Sequence, residues 1–145
     1  MTAHYVSRHG EVAKPRETLY MAFTDLRNFQ RFVPPQYQAD IVADFDSLRI
    51  CVQGFAVAVR VDVRQPYELI GLGSAESPVE FAARLHFDAA PLPGKTDFWI
   101  ELDVNLNFMM KTMFGNKIQQ GLDKLVAELV RVSEGGAPDF PAENL

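Results

Sequence analysis

The sequence predicts an α+β domain in which a curved antiparallel sheet of about six or seven strands wraps around one long C-terminal helix. Three observations carry the prediction. From Tyr37 to Asn107 apolar and polar residues alternate almost without a break, which is the period-two signature of strands with one buried face. Short turn-forming clusters punctuate the alternation at Asp46-Ser47, Pro66, Ser77-Pro78 and Pro91-Leu92-Pro93-Gly94, and strands joined by short turns pair antiparallel. The pattern then changes to a helical period, with Ile118, Leu122, Leu125, Leu129 and Val132 on one side of the segment Lys117 to Val132. Val126 and Val130 widen that stripe, and Gln119, Gln120, Asp123, Lys124, Glu128 and Arg131 fill the opposite side. Such a helix buries one face on a sheet.

The elements follow in order. His4 to Val12 reads as a first strand. Pro15 fits the first turn of a helix whose stripe is Leu19, Ala22, Phe23 and Leu26, and Phe29, Phe32 and Val33 mark a second short helix that Pro34-Pro35 stops. Strands are expected at Tyr37 to Phe45, Leu48 to Gln53 and Phe55 to Arg64. In the last of these, Phe55, Val57, Val59, Val61 and Val63 form one face. Tyr67 to Ala75 is a strand of ambiguous phase, because Leu69, Gly71 and Gly73 oppose Ile70 and Leu72, so either both faces are covered or the glycines mark a bulge. Val79, Phe81, Ala83, Leu85 and Phe87 point one way in the next strand. Beyond the hairpin loop Phe98, Ile100, Leu102, Val104 and Leu106 do the same. Asn107 is placed to cap a helical segment carrying Met109, Met110, Met113 and Phe114, which Gly115-Asn116 is expected to kink or interrupt. Residues 1–133 form one domain, and 134–145, with Gly135-Gly136, Pro138 and Pro141, a flexible tail whose deletion should leave stability nearly unchanged.

Bulk properties narrow the function classes. At 145 residues and 48% hydrophobic content the chain can build a full core without staples. Its net charge of −5 disfavours nucleic acid or an anionic membrane as a partner. Arg8, Lys14, Arg16, Arg27 and Arg31 are interrupted by Glu11, Glu17 and Asp25 and read as a solvated face. A single cysteine, Cys51, excludes an internal disulfide and fits a reducing compartment. No stretch is long and apolar enough for membrane insertion, so a cytoplasmic location is expected.

The opening Lys14-Pro15-Arg16-Glu17 through Asp25, Phe29 and Pro34 resembles the entry of the helix-grip superfamily, which includes START-like, plant-allergen-like and polyketide cyclase/dehydratase domains. Glu76-Ser77-Pro78-Val79-Glu80-Phe81, the hairpin Pro93 to Thr96, Asp103 to Met110 and Leu122-Asp123-Lys124-Leu125 are similar to members from Bacteroidetes that carry no assigned function. The resemblance spans residues 3 to 132. It implies a helix-grip fold, and with it a lipid carrier, a cyclase or an interaction module, and it transfers no catalytic residue.

Chemistry is sparse. His4, His9 and His86 have no metal-site spacing, so no metal or cofactor is expected; His86 reads as a solvated surface residue. Gly71-Leu72-Gly73 lacks the third glycine and helix of a nucleotide loop. Glu101 and Asp103 share a strand face as solvated charges do. What remains is the inward surface, where Val57, Val59, Phe81, Ala83, Leu85, Ile100 and Leu102 would floor a volume that Met110, Met113, Phe114 and Gly121 roof, with Phe29 and Phe32 at its entrance. Gly121 either admits close packing or leaves room for a ligand. Tyr20 and Tyr37 are the inward-capable polar side chains. The expected function is a small intracellular binding protein for an apolar metabolite or lipid. The alternatives are a cyclase/dehydratase-like enzyme, although no catalytic constellation is visible, and an interaction domain with a filled core. Trp99, on an outward face with Asp97, Glu101 and Asp103, suggests a homodimer contact, or else lies flat over its strand neighbours.

Overall fold

A computed structural model describes residues 2–32, 41–52, 55–75 and 79–135. The stop at Pro34-Pro35, the strand start at Tyr37, Gly54, the turn at Ser77-Pro78 and the tail from 136 onward lie outside the described residues, as do the side chains of Phe32 and Phe55. Eight strands among the described residues form one antiparallel sheet: β1 (Thr2–Val6), β2 (Gly10–Val12), β3 (Ile41–Ala43), β4 (Ser47–Val52), β5 (Phe55–Gln65), β6 (Leu69–Ser74), β7 (Phe81–Ala89) and β8 (Thr96–Asn105). Their order is β1-β8-β7-β6-β5-β4-β3, with β2 also paired to β8. The first expected strand is thus split in two. Ser7 accounts for the break: it is buried, its N–H donates to the Ile100 carbonyl, and its Oγ accepts from the Ile100 N–H, both at 2.9 Å.

Helix α1 (Arg16–Phe23) starts one residue after Pro15, which serves as its N-cap. A 3₁₀ segment, Leu26–Phe32, stands where the second helix was expected. Helix α2 (Phe108–Ser133) runs 26 residues without interruption at Gly115-Asn116, and Asn107 Oδ1 caps it by accepting from the Met110 N–H at 2.8 Å. It packs along β1, β2 and β8, while α1 covers β7. Leu122, Val126 and Leu129 are its buried residues. They meet Leu19, Tyr20 and Phe23 of α1 over Ile70, Leu85, Phe87, Phe98 and Ile100. Tyr20, inward-capable by sequence, lies in this core, edge-on to Phe87 with ring centroids 6.0 Å apart.

The ambiguous phase of β6 resolves on its neighbour. Ile70 and Leu72 pair with Leu85 and Ala83 on the concave, helix-facing side, so Gly71 and Gly73 face outward. The bulge lies on β5, between Val61 and Val63. An extra residue there inverts the strand's phase. Val63 goes to the outer face, where its Cβ would stand 3.1 Å from a Cβ at Gly71, and Asp62 fills the space outside Gly73. Arg64 comes to the concave side, paired with Ile70.

No helix among the described residues is long and apolar enough to cross a membrane.

Candidate functional site

Strand register sorts the concave face into rows, and burial changes sharply from one row to the next. Ile70, Leu85 and Ile100 form one row and are 0%, 3% and 3% exposed. The adjoining row, Val61–Leu72–Ala83–Leu102–Tyr5, is equally apolar and faces the same way, yet none of its five members is buried. α1 and the C-terminal half of α2 seal the first row. Above the second, the protein's own side chains leave solvent access. The next row continues the opening at Val59, Ser74 and Phe81 and closes again at Val104 and Ala3.

The helix side of this groove is set by periodicity. Phe114, Gly121 and Leu125 fall on one flank of α2, seven and four residues apart. Leu125 packs against the core shared with α1, so the flank is turned across the sheet. Phe114 is 42% exposed, and a Cβ built on Gly121 meets no atom within 4 Å. The close-packing reading of Gly121 is therefore wrong: the glycine faces open space. Met110 and Ile118 pack on Ala3, Val104 and Leu106 at the end of the sheet.

The expected site residues divide accordingly. Val59 and Phe81 lie in the partly exposed rows with Ala83 and Leu102, Phe114 and Gly121 are exposed on one flank of α2, and Val57 is 36% exposed further along β5. Leu85 and Ile100 belong to the sealed row. Met113 is 60% exposed and stands roughly a quarter turn around α2 from Phe114 and Gly121. Phe29 packs on Phe23, with centroids 5.5 Å apart. Tyr5 was not foreseen, because the short β1 shows no clean alternation. Its hydroxyl is buried without a hydrogen-bond partner and lies 3.3 Å from where a Cβ on Gly115 would be. Gly115 lets α2 pass over the ring.

Arg64 closes the α1 end of the concave face. Its Nε donates to Thr24 Oγ1 at 2.7 Å and its Nη2 to the Thr24 and Phe45 carbonyls at 2.9 and 3.2 Å. Its Nη1 pairs with Asp46 at 2.6 Å. The guanidinium also stacks 4.3 Å over the Phe45 ring. Four hydrogen bonds from its donors to the protein hold it, so this inward charge is a structural tie. A second hollow, about 120 Å³, lies between α1 and the end of α2, lined by Lys14, Thr18, Asn28 and Ser133 with Leu19, Ala22 and Phe23. It is smaller than the roughly 300 Å³ at which drug-sized sites begin.

The polar chemistry collects on the convex face instead. His86 is not solvated: its Nε2 is 2.6 Å from Glu101 Oε1 and its ring stacks on Trp99. Arg84 Nη2 donates to Asp103 at 2.9 Å, and His4 Nδ1 lies 2.7 Å from the same carboxylate. Hydrogen bonds from His4 and Arg84 hold the Asp103 carboxyl below its ordinary value. Burial pushes Glu101 up, but hydrogen bonds from Arg84 and His86 outweigh it and the net shift is downward. Bonding to Asp103 raises Arg84 in turn. Both carboxylates are thus ionised at neutral pH, which unsuits them as general acids. Among the described residues no group of His, Cys, Asp and Glu is placed to hold a metal ion.

Solved structures show the same architecture. Norcoclaurine synthase from Thalictrum flavum, as a point mutant with a transition-state analogue, superimposes with a TM-score of 0.71 at 12% identity, covering 92% of this chain and 94% of that one. The same enzyme in complex with dopamine and hydroxybenzaldehyde gives 0.62 at 13% identity over 88% of each chain. A protein from Deinococcus radiodurans gives 0.60 at 15% identity, covering 91% of this chain and 98% of that one. The fold is a helix-grip. At these identities the likeness concerns the fold alone. No family model and no curated protein matches the chain, so the narrower similarity to Bacteroidetes helix-grip proteins finds no support in these comparisons.

Proposed function

We propose that this helix-grip chain is a small intracellular binding protein for a largely apolar metabolite or lipid, held between the open rows of the sheet and the Phe114–Gly121 flank of α2. The observation that carries the reading is the only partly buried row Val61–Leu72–Ala83–Leu102–Tyr5 beside a sealed, equally apolar row. Apolar surface facing inward yet reached by solvent is costly unless something covers it, at roughly 25 cal/mol per Å². The capture of dopamine and hydroxybenzaldehyde by norcoclaurine synthase illustrates that this fold accommodates organic molecules. One observation favours the cyclase- or dehydratase-like alternative: the Tyr5 hydroxyl is an unpartnered polar group buried beneath Gly115 of α2, on a residue of the groove-floor row.

Titration with the apolar dye 1-anilinonaphthalene-8-sulfonate tests the proposal. The parent should bind saturably, and Gly121→Leu and Ala83→Leu should each weaken binding by about ten-fold or more. Because position 121 meets open space, Gly121→Leu should unfold at the same or higher urea concentration, through a helix-propensity gain of up to about 1 kcal/mol. Leu122→Ala on the same helix should cost roughly 2–5 kcal/mol. A parent without saturable binding, or a Gly121→Leu that binds like the parent, would sink the carrier reading.

A further inference from the structure

We propose that the first turns of α2 dock on an anionic lipid surface. Two independent features of the segment Phe108 to Leu122 point there. The first is exposure: Phe108, Met109 and Met113 are 78%, 68% and 60% exposed. These are large, flexible apolar side chains on an ordered helix, and Met109 and Met113 stand one turn apart on the same line. Lys117 continues that line a turn further on, so its aliphatic stem can lie along Met113 while its ammonium reaches outward.

The second is charge. The chain as a whole carries −5, which set it against anionic surfaces in the sequence. The charge is unevenly distributed, however. From Phe108 to Leu122 the helix contains Lys111 and Lys117, both exposed, and no acidic residue; the first is Asp123. The N-terminus of α2 adds the positive end of a 26-residue helix dipole to the same region. An apolar line that ends in the Lys117 ammonium, with Lys111 on the opposite side of the same exposed turns, matches the boundary between acyl chains and anionic headgroups. A nucleic acid would have no use for the methionines. The patch adjoins Phe114, so the groove would open beside the surface it touches.

Sedimentation with vesicles tests this directly, using the full chain with phosphatidylcholine alone and with an equal mixture of phosphatidylcholine and phosphatidylglycerol. The parent should co-sediment with the mixed vesicles at low salt, release at high salt, and bind the neutral ones weakly. Met109→Ser/Met113→Ser and Lys111→Glu/Lys117→Glu should each lower binding by about ten-fold. Met21→Ser, equally exposed on α1 at 60%, should not change it. All variants should still bind the apolar dye, so the outcome is separate from that of the groove. No binding to mixed vesicles at low salt, or binding indifferent to both double variants, overturns the proposal. So does a parent dimer that Met109→Ser/Met113→Ser converts to monomer without any vesicle binding.

Discussion

The indole of Trp99 lies flat against the imidazole of His86, with ring centroids 3.9 Å apart and planes within 7°. His9 stacks on Trp99 as well, at 4.9 Å and 16°. Each ring is held in place by a carboxylate: Trp99 Nε1 donates to Asp88 at 2.8 Å, His9 Nδ1 is 2.9 Å from Asp97, and His86 faces Glu101. The cover that an outward tryptophan calls for is therefore provided largely within the chain. A double-mutant cycle between Trp99→Ala and His86→Ala should give a coupling of about 0.5–1.5 kcal/mol. A coupling near zero would mean that the rings merely abut. Sedimentation over a range of concentrations tests the homodimer contact separately, and a parent that stays monomeric removes it.

Acid should weaken the fold through the convex face. Asp103 and Glu101 titrate below their ordinary values, 3.8 and 4.5, when folded. Their stabilising contribution is fully present above those values and disappears as pH falls through the lower folded ones. Asp25, held down mainly by its bond to Arg27, and Asp44, held down by the backbone N–H of Asp46 and the Ser47 hydroxyl, act in the same direction. Asp103→Asn should lower the urea midpoint at pH 7, and its difference from the parent should shrink as pH drops below 3.8. A difference that stays constant down to that range would show that the carboxylate contributes by packing alone.

Much of this architecture was legible because alternation reports one thing well, which is a strand with a wet and a dry face. β7 and β8 lie where the pattern put them, and so does the helix stripe of Leu122 and Leu129. The bulge between Val61 and Val63 left no trace, since Val61, Asp62, Val63 and Arg64 alternate perfectly in sequence. It is specified by what stands across from it, the two outward glycines of β6. His86 and Trp99 were read singly, whereas their stacking is a relation between facing residues of different strands. The apolar faces of β7 and β8 were read correctly. Which row would stay open depends on where two helices end, and no local pattern encodes that.

The buried Tyr5 hydroxyl yields an unusual expectation. A polar atom without a partner opposes folding by about 1–3 kcal/mol, so Tyr5→Phe should be neutral or stabilising. Gly115→Ala alone should gain little, because the new Cβ would press on that hydroxyl at 3.3 Å. In the Tyr5→Phe background the same change should recover up to about 1 kcal/mol of helix propensity. Urea unfolding of the four proteins checks it, and strictly additive effects would show that the two residues do not meet.

Truncation should be sensitive to two residues. Glu134 Oε2 accepts from the Ala13 N–H at 3.0 Å, and the Glu134 and Gly135 N–H groups bond carbonyls of the last helical turn. A chain ending at Gly135 should match the parent in melting temperature, whereas one ending at Ser133 should lose about 0.5–1.5 kcal/mol. Equal melting of the two truncated chains would show that the Glu134 tie contributes nothing.

The pairing of β1 with β8 has a consequence for how the molecule comes into being. His4 meets Asp103 across 99 positions of chain, and Gln119 of α2 reaches back to the Val6 carbonyl across 113. β1 therefore has no neighbour until β8 has been made, and no roof until α2 follows. Synthesis builds the meander β3 to β8 through local hairpins, while the leading segment waits for a closure that spans most of the chain. β1 is the keystone of this sheet, made before its partner and docked after it.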